Sequence, residues 1–149
     1  MVCSMYQKQK GFTVLELITA MAIGSLLMGI AVINLNAFAN PSNNGASELM
    51  GFIKRARAKA MATTHSYTVY ASSSNSVAAK FGQNCSTETW TDDPELATTL
   101  PNGASLDSTE WEICYSSRGL SADSADITVR DSRATRLVQV VLGGGVRIQ

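Results

Sequence analysis

Hydrophobic and polar positions fall into three regimes along the chain. From Leu17 to Ile33 no residue is charged. The apolar stretch from Phe12 to Ala39 predicts one helix of about 42 Å at about 1.5 Å per residue, longer than the ~30 Å hydrocarbon core of a bilayer. The second regime is periodic. Leu49, Ile53, Ala56 and Ala60 recur at spacings of three and four, with Met50 and Met61 beside them, while Glu48, Lys54, Arg55 and Lys59 fall elsewhere on the wheel. This predicts an amphipathic helix over residues 46–64, capped by Ser47. Between the two, Asn40-Pro41-Ser42-Asn43-Asn44-Gly45 predicts a break over 40–45, because the residue before proline is pushed out of the α region and Asn and Gly favour turns. After Thr64 the pattern becomes short strand-like runs: Ser66–Ala71, Ser76–Phe81, Glu110–Ser116, Ile127–Arg130, Arg136–Leu142 and Val146–Gln149. The last two flank Gly143-Gly144-Gly145, a hairpin turn signal. Residues 82–109, rich in Thr, Asp, Pro and Asn, read as a long loop. The expected fold class is therefore α+β: a long N-terminal helix, interrupted once, with an antiparallel β-rich head over 65–149 packed on its second half.

Composition changes this picture little. The chain has 149 residues and a formal net charge of zero, so no global field points to nucleic acid. The zero hides an asymmetry. Residues 85–126 hold nine acidic side chains and one basic one, Arg118, whereas Arg130, Arg133, Arg136 and Arg147 follow Ile127 against Asp131 alone. Of three cysteines, Cys3 precedes the apolar run, and Cys85 and Cys114 follow it together. That pair fits one disulfide in an oxidising compartment, or two unrelated buried thiols. A bridge would close about 29 residues and contribute roughly 3–4 kcal/mol in the chain-entropy model.

The apolar run admits three readings. It suits a membrane anchor. It also suits a cleaved secretory signal, with Lys8 and Lys10 ahead of it and Ala37-Phe38-Ala39 in the A-x-A form, although a signal core is usually about 7–15 residues long. Neither reading gives a purpose to Glu16, a carboxylate that costs about 2.5–3.5 kcal/mol at hydrocarbon depth. In the third reading, Gly11-Phe12-Thr13-Val14-Leu15-Glu16, preceded by basic residues and followed by a long apolar helix, resembles the class III signal of type IV pilins and type II secretion pseudopilins. The resemblance implies a leader over residues 1–11, cleavage between Gly11 and Phe12 by prepilin peptidase, and methylation of the Phe12 amine. It implies that the apolar run over 12–39 is retained, first in the inner membrane with the head in the periplasm, then in a filament core. It also implies that Glu16 pairs with the N-terminal amine of a neighbouring subunit, the partner a buried carboxylate needs. Ala20 with Gly24 and Ser25 with Gly29 are small pairs four apart that permit close helix approach. No proline stands in the first half of the run, where many pilins have one.

The head adds a branch. Ile53-Lys54-Arg55-Ala56-Arg57-Ala58-Lys59-Ala60, Tyr67-Thr68-Val69-Tyr70, Ile113-Cys114-Tyr115-Ser116-Ser117-Arg118-Gly119-Leu120 and the terminal Leu142-Gly143-Gly144-Gly145-Val146-Arg147-Ile148 together resemble the GspH/FimT branch of minor pilins and minor pseudopilins. The resemblance implies a non-enzymatic subunit of a type IV pilus, at its tip or starting its assembly, or else of a type II secretion pseudopilus. In some FimT-like minor pilins a C-terminal Gly-Arg-x-Arg motif is associated with DNA contact in natural transformation. Here the matching residues are Gly144-Gly145-Val146-Arg147, so only Arg147 matches. Arg133 and Arg136, with Arg130, are the residues available to extend a basic surface.

No catalytic constellation, phosphate loop or zinc spacing occurs in the sequence, so neither an enzyme nor a cofactor is expected. Asp92, Asp93 and Glu95 carry oxygen ligands of the kind calcium takes, but the plainer expectation is a solvated acidic loop and no metal. Lys54, Arg55, Arg57 and Lys59 read as a solvated helix face, and His65, the only histidine, as a helix-end residue.

Overall fold

A computed structural model of the chain describes residues 12–38 and 40–149, with side chains described for 12–28 and 40–149. The leader, Gly11 and Cys3 lie outside these residues. The chain forms two compact units, one ending at Ala39 and one running from Asn40 to Gln149.

The first unit is helix α1, Val14–Phe38. Its described side chains are all exposed, with Phe12 at 89% and Leu17, Ile18, Met21, Ile23, Leu26 and Leu27 all above half. Over residues 12–28 the helix is apolar and exposed on every side, the surface of an element that other apolar groups can surround. Among the described residues no helix meets both the length and the apolar character of a membrane span; the expected span also includes residues 29–39, whose side chains lie outside the description.

The second unit is built on helix α2, Pro41–Thr63. It begins at Pro41, so of the break expected over 40–45 only Asn40 lies outside the helix. Proline suits the first helical position, where its missing N–H costs nothing. The cap is Asn40, whose side chain accepts from Asn43 N, and not Ser47. Ser42, Gly45, Ala46, Leu49, Phe52, Ile53, Ala56 and Ala60 make one buried face at helical spacing. Thr64, at φ 56°, ends the helix in the left-handed conformation.

Two four-stranded antiparallel sheets cover that face. The first contains β1 (Ser66–Ser73), β2 (Ser76–Gly82), β3 (Thr91–Thr99) and β5 (Glu112–Tyr115), in the order β3-β2-β1-β5. The second contains β4 (Ser105–Leu106), β6 (Ala125–Arg130), β7 (Thr135–Val141) and β8 (Gly145–Ile148), in the order β4-β6-β7-β8. Val69, Val77, Ala79 and Ile113 from one sheet and Ile127, Val129, Val138 and Val140 from the other meet α2 in a single core. At Gly45 an added Cβ would lie 2.9 Å from Ala104 Cβ and 3.0 Å from Val129 Cγ1, so helix and sheet approach more closely than a side chain allows.

The six strands read from the sequence are present with bounds shifted by one or two residues. Two were missed. β3 and β4 occupy the stretch expected to be a loop. β3 carries Pro94 and two aspartates and pairs with β2 out of register around the proline, as an edge strand can.

Candidate functional site

At the start of α1, Thr13 and Glu16 satisfy each other. Glu16 Oε2 accepts from Thr13 N at 2.9 Å and from Thr13 Oγ1 at 3.0 Å, and Thr13 Oγ1 accepts from Glu16 N at 3.2 Å. This is a capping box, Thr-x-x-Glu, in which an acid three residues into the helix closes orphan backbone donors. Within one chain the carboxylate therefore has partners, and it sits among exposed apolar residues.

The arginines of the C-terminal strands do not share one surface. Arg147 on β8 stands opposite Gln139 and donates through Nε at 2.8 Å and through Nη2 to Gln139 Oε1. Gln139 in turn donates to Asp126 Oδ1 at 2.9 Å. Arg130 pairs with Asp107 at 2.8 Å. Arg136 stands opposite Val129 and shares the face of the buried Val138 and Val140, the reverse of the face that carries Arg147. Arg133 lies in the turn between β6 and β7, exposed. That turn is fixed by Asp131, whose Oδ1 accepts from Arg133 N at 2.6 Å and Ala134 N at 2.8 Å. Its Oδ2 accepts from Ser42 N at 2.9 Å, at the N-terminus of α2. The amides of Arg133, Ser42 and Ala134 hold the Asp131 carboxyl down at about 2.

The basic residues of α2 divide. Lys54 and Arg55 are exposed, and Arg55 meets Glu48 at 3.4 Å. Arg57 and Lys59 are structural, which corrects the expectation of a solvated face. Arg57 Nε donates to Gly119 O at 2.7 Å and Nη1 to Gly144 O at 3.1 Å. Lys59 Nζ reaches Asp93 at 2.7 Å and Glu95 at 2.8 Å. Asp93, only 7% exposed, also accepts from the Tyr67 hydroxyl at 3.1 Å. Burial pushes the Asp93 carboxyl up, but the Lys59 ammonium, the Glu95 amide and the Tyr67 hydroxyl together hold it below its ordinary value. Hence the acidic set is part of a strand anchored to α2, not a solvated loop, and among the described residues no group of side chains is arranged to hold a metal. Burial pushes the Tyr115 phenol up to about 12, and its hydroxyl is buried without a partner.

Cys85 and Cys114 form a disulfide. It ties the loop after β2 to β5, across the outer face of the first sheet, where Cys114 pairs with Thr68. On the same face Lys80 lies over the rings of Tyr70 and Trp90 and pairs with Glu112 at 3.0 Å. His65 caps Thr63 O at the end of α2.

Residues 6–32 match the family model described as the prokaryotic N-terminal methylation motif. Among curated proteins no sequence match is found. Solved structures with the same fold include the type IV minor pilin FimU of Pseudomonas aeruginosa, with a TM-score of 0.57 at 10% identity over 72% of this chain and 87% of that one. A second crystal form of FimU gives 0.55 at 12% identity, over 72% and 91%. The minor pseudopilin EpsH from the type 2 secretion system of Vibrio cholerae gives 0.56 at 13% identity, over 74% and 97%.

Proposed function

We infer that this chain, a pilin-like protein by its N-terminal methylation motif and by the fold of its head, is a minor pilin: a structural subunit, not an enzyme, built into a type IV pilus. Before assembly it is anchored in the inner membrane by residues 12–39, with the head in the periplasm. Prepilin peptidase cuts between Gly11 and Phe12, and the new amine is methylated. The observation that carries this reading is α1 itself. Its apolar side chains over residues 12–28 are exposed all round, and among the described residues its one charge, Glu16, is held by Thr13 alone. Such a helix is stable in lipid, or packed among like helices where an incoming ammonium replaces Thr13 as the partner of Glu16. A second reading, a minor pseudopilin of a type II secretion system, uses the same helix and is supported by the likeness to EpsH.

DNA binding is the weaker extension. Arg147 is engaged by Gln139, and Arg133, Arg136 and Arg147 are spread over two faces and a turn. A phosphate track needs clustered, uncommitted cations.

Glu16→Gln tests the assembly role. The variant should still be found in the membrane, cut before Phe12 and carrying one added methyl group by intact mass. It should be missing from sheared filaments. Normal incorporation of this variant would sink the proposal, as would a mature N-terminus just after Ala39.

A further inference from the structure

We propose that the turn between β6 and β7, with Arg133 and Arg136, is a contact for anionic lipid headgroups at the surface of the membrane that holds α1; this rests on the membrane reading above. Three observations converge on it.

The first is position. Asp131 fastens the turn to Ser42 N in the first turn of α2, and the same carboxylate closes the turn through Arg133 N and Ala134 N. Phe38, the last residue of α1, and Pro41, the first of α2, are three residues apart. At about 3.8 Å per Cα step, the chain keeps the start of α2, and the turn pinned to it, near the end of the apolar run whatever angle the two helices make.

The second is charge. Arg133 is exposed and Arg136 half-exposed. Among the described residues neither joins an ion pair, whereas Arg130 does. Asp107 is committed to Arg130 and Asp131 to backbone amides. The acids of β3 lie at the other end of α2, where Asp93 and Glu95 meet Lys59. Arg133 and Arg136 are thus unpaired cations at the end of the head where α2 begins, while Lys54 and Arg118, also without an ion pair among the described residues, lie in the middle of α2 and in the loop after β5.

The third is chemistry. A guanidinium presents a fork of donors matched to phosphate oxygens. Two arginines beside an anionic surface bias the head toward it by roughly thirty-fold. Duplex DNA offers the same phosphate, but Arg147 is turned to the opposite face and held by Gln139, so Arg133 and Arg136 have no third cation to form a track with.

The test uses the full chain reconstituted in vesicles of phosphatidylcholine alone or with phosphatidylglycerol. An environment-sensitive fluorophore is placed at the exposed Ser132 by Ser132→Cys in a Cys3→Ser background. The chain should float with both kinds of vesicle. The probe should report headgroup contact only with phosphatidylglycerol, and lose it in about 1 M salt, where the screening length is about 3 Å. Arg133→Gln with Arg136→Gln should remove the difference, and Arg147→Gln should leave it intact. An equal probe signal in the two vesicle types overturns the lipid contact alone. Failure to float with either overturns the membrane reading and this one with it. A probe response to duplex DNA on neutral vesicles, without one to phosphatidylglycerol, assigns the arginines to nucleic acid and refutes the proposal.

Discussion

Arg57→Met removes the donors of one guanidinium while keeping an apolar stem of similar length. Arg57 leaves the middle of α2 and holds two carbonyls at once, Gly119 O in the loop after β5 and Gly144 O in the turn between β7 and β8. Those carbonyls belong to the two different sheets, at a place where an added Cβ on Gly144 would lie 2.8 Å from the Tyr115 ring. Hydrogen bonds from a charged donor contribute about 1.5–3 kcal/mol each. The side chain is half-buried, so water replaces part of what is lost and the low end applies twice, giving a loss of about 3 kcal/mol. For a unit of this size that is a fall in Tm on the order of 10 °C. Urea unfolding of residues 40–149, whose core is entirely their own, followed by the fluorescence of Trp90 and Trp111, measures it. Hydrogen exchange should rise at residues 119–121 and 143–145 and stay low in α2. Arg55→Met, on the exposed side, is the control. A change under about 0.5 kcal/mol, or an equal loss in the control, would refute the bridging role.

Further outcomes follow from other contacts. Reducing the Cys85–Cys114 disulfide, which closes a loop of 29 residues, should cost about 3–4 kcal/mol in the chain-entropy model, read as a shift of the urea midpoint with and without reductant. The Asp131 carboxyl is held at about 2 in the folded chain against an ordinary value of about 3.9, so the stability it contributes is complete above pH about 4 and drains away as the pH falls toward 2. The stability gap between wild type and Asp131→Asn should therefore close over that window, and a gap constant from pH 5 to 2 would contradict it. Gly144→Ala places a Cβ at φ 87° and 2.9 Å from Gly119 O, and should cost about 2–4 kcal/mol through backbone strain and crowding, measured in the same unfolding assay.

Much of the fold was legible because it follows strong periodicities. The α2 core face announces itself in Leu49, Ile53, Ala56 and Ala60, and the β6–β8 meander in alternating Val and Ile around a glycine turn. β3 was hidden because Asp92, Asp93 and Pro94 each argue against a strand, and only the pairing with β2 and the Lys59 anchor overrule them. The helix start was misplaced because Asn40-Pro41 reads equally as a stop or as a cap followed by a first turn; Asp131, 89 residues away from Ser42, decides for the cap. The roles of Arg57 and Lys59 were unreadable for the same reason. Their partners lie in distant loops and strands, and no local pattern distinguishes a cation held by tertiary contacts from one that is solvated. The Thr13–Glu16 box, by contrast, is written in the spacing itself, a Thr-x-x-Glu ahead of an apolar run.

The order in which the chain visits its two sheets has a consequence for how a subunit is made. It lays down β1, β2 and β3, crosses to the second sheet for β4, returns for β5, and leaves again for β6 to β8. The layers are interlaced, and neither is finished by a contiguous piece of the polypeptide. The first sheet has all its strands by Tyr115, but the rest of the α2 face is covered only when β6 to β8 arrive. Truncation anywhere between Ser116 and Ser124 should leave the greasy flank of α2 bare and the product open to proteolysis. Completeness is thereby all or nothing: only a head delivered to its final strand hides that flank.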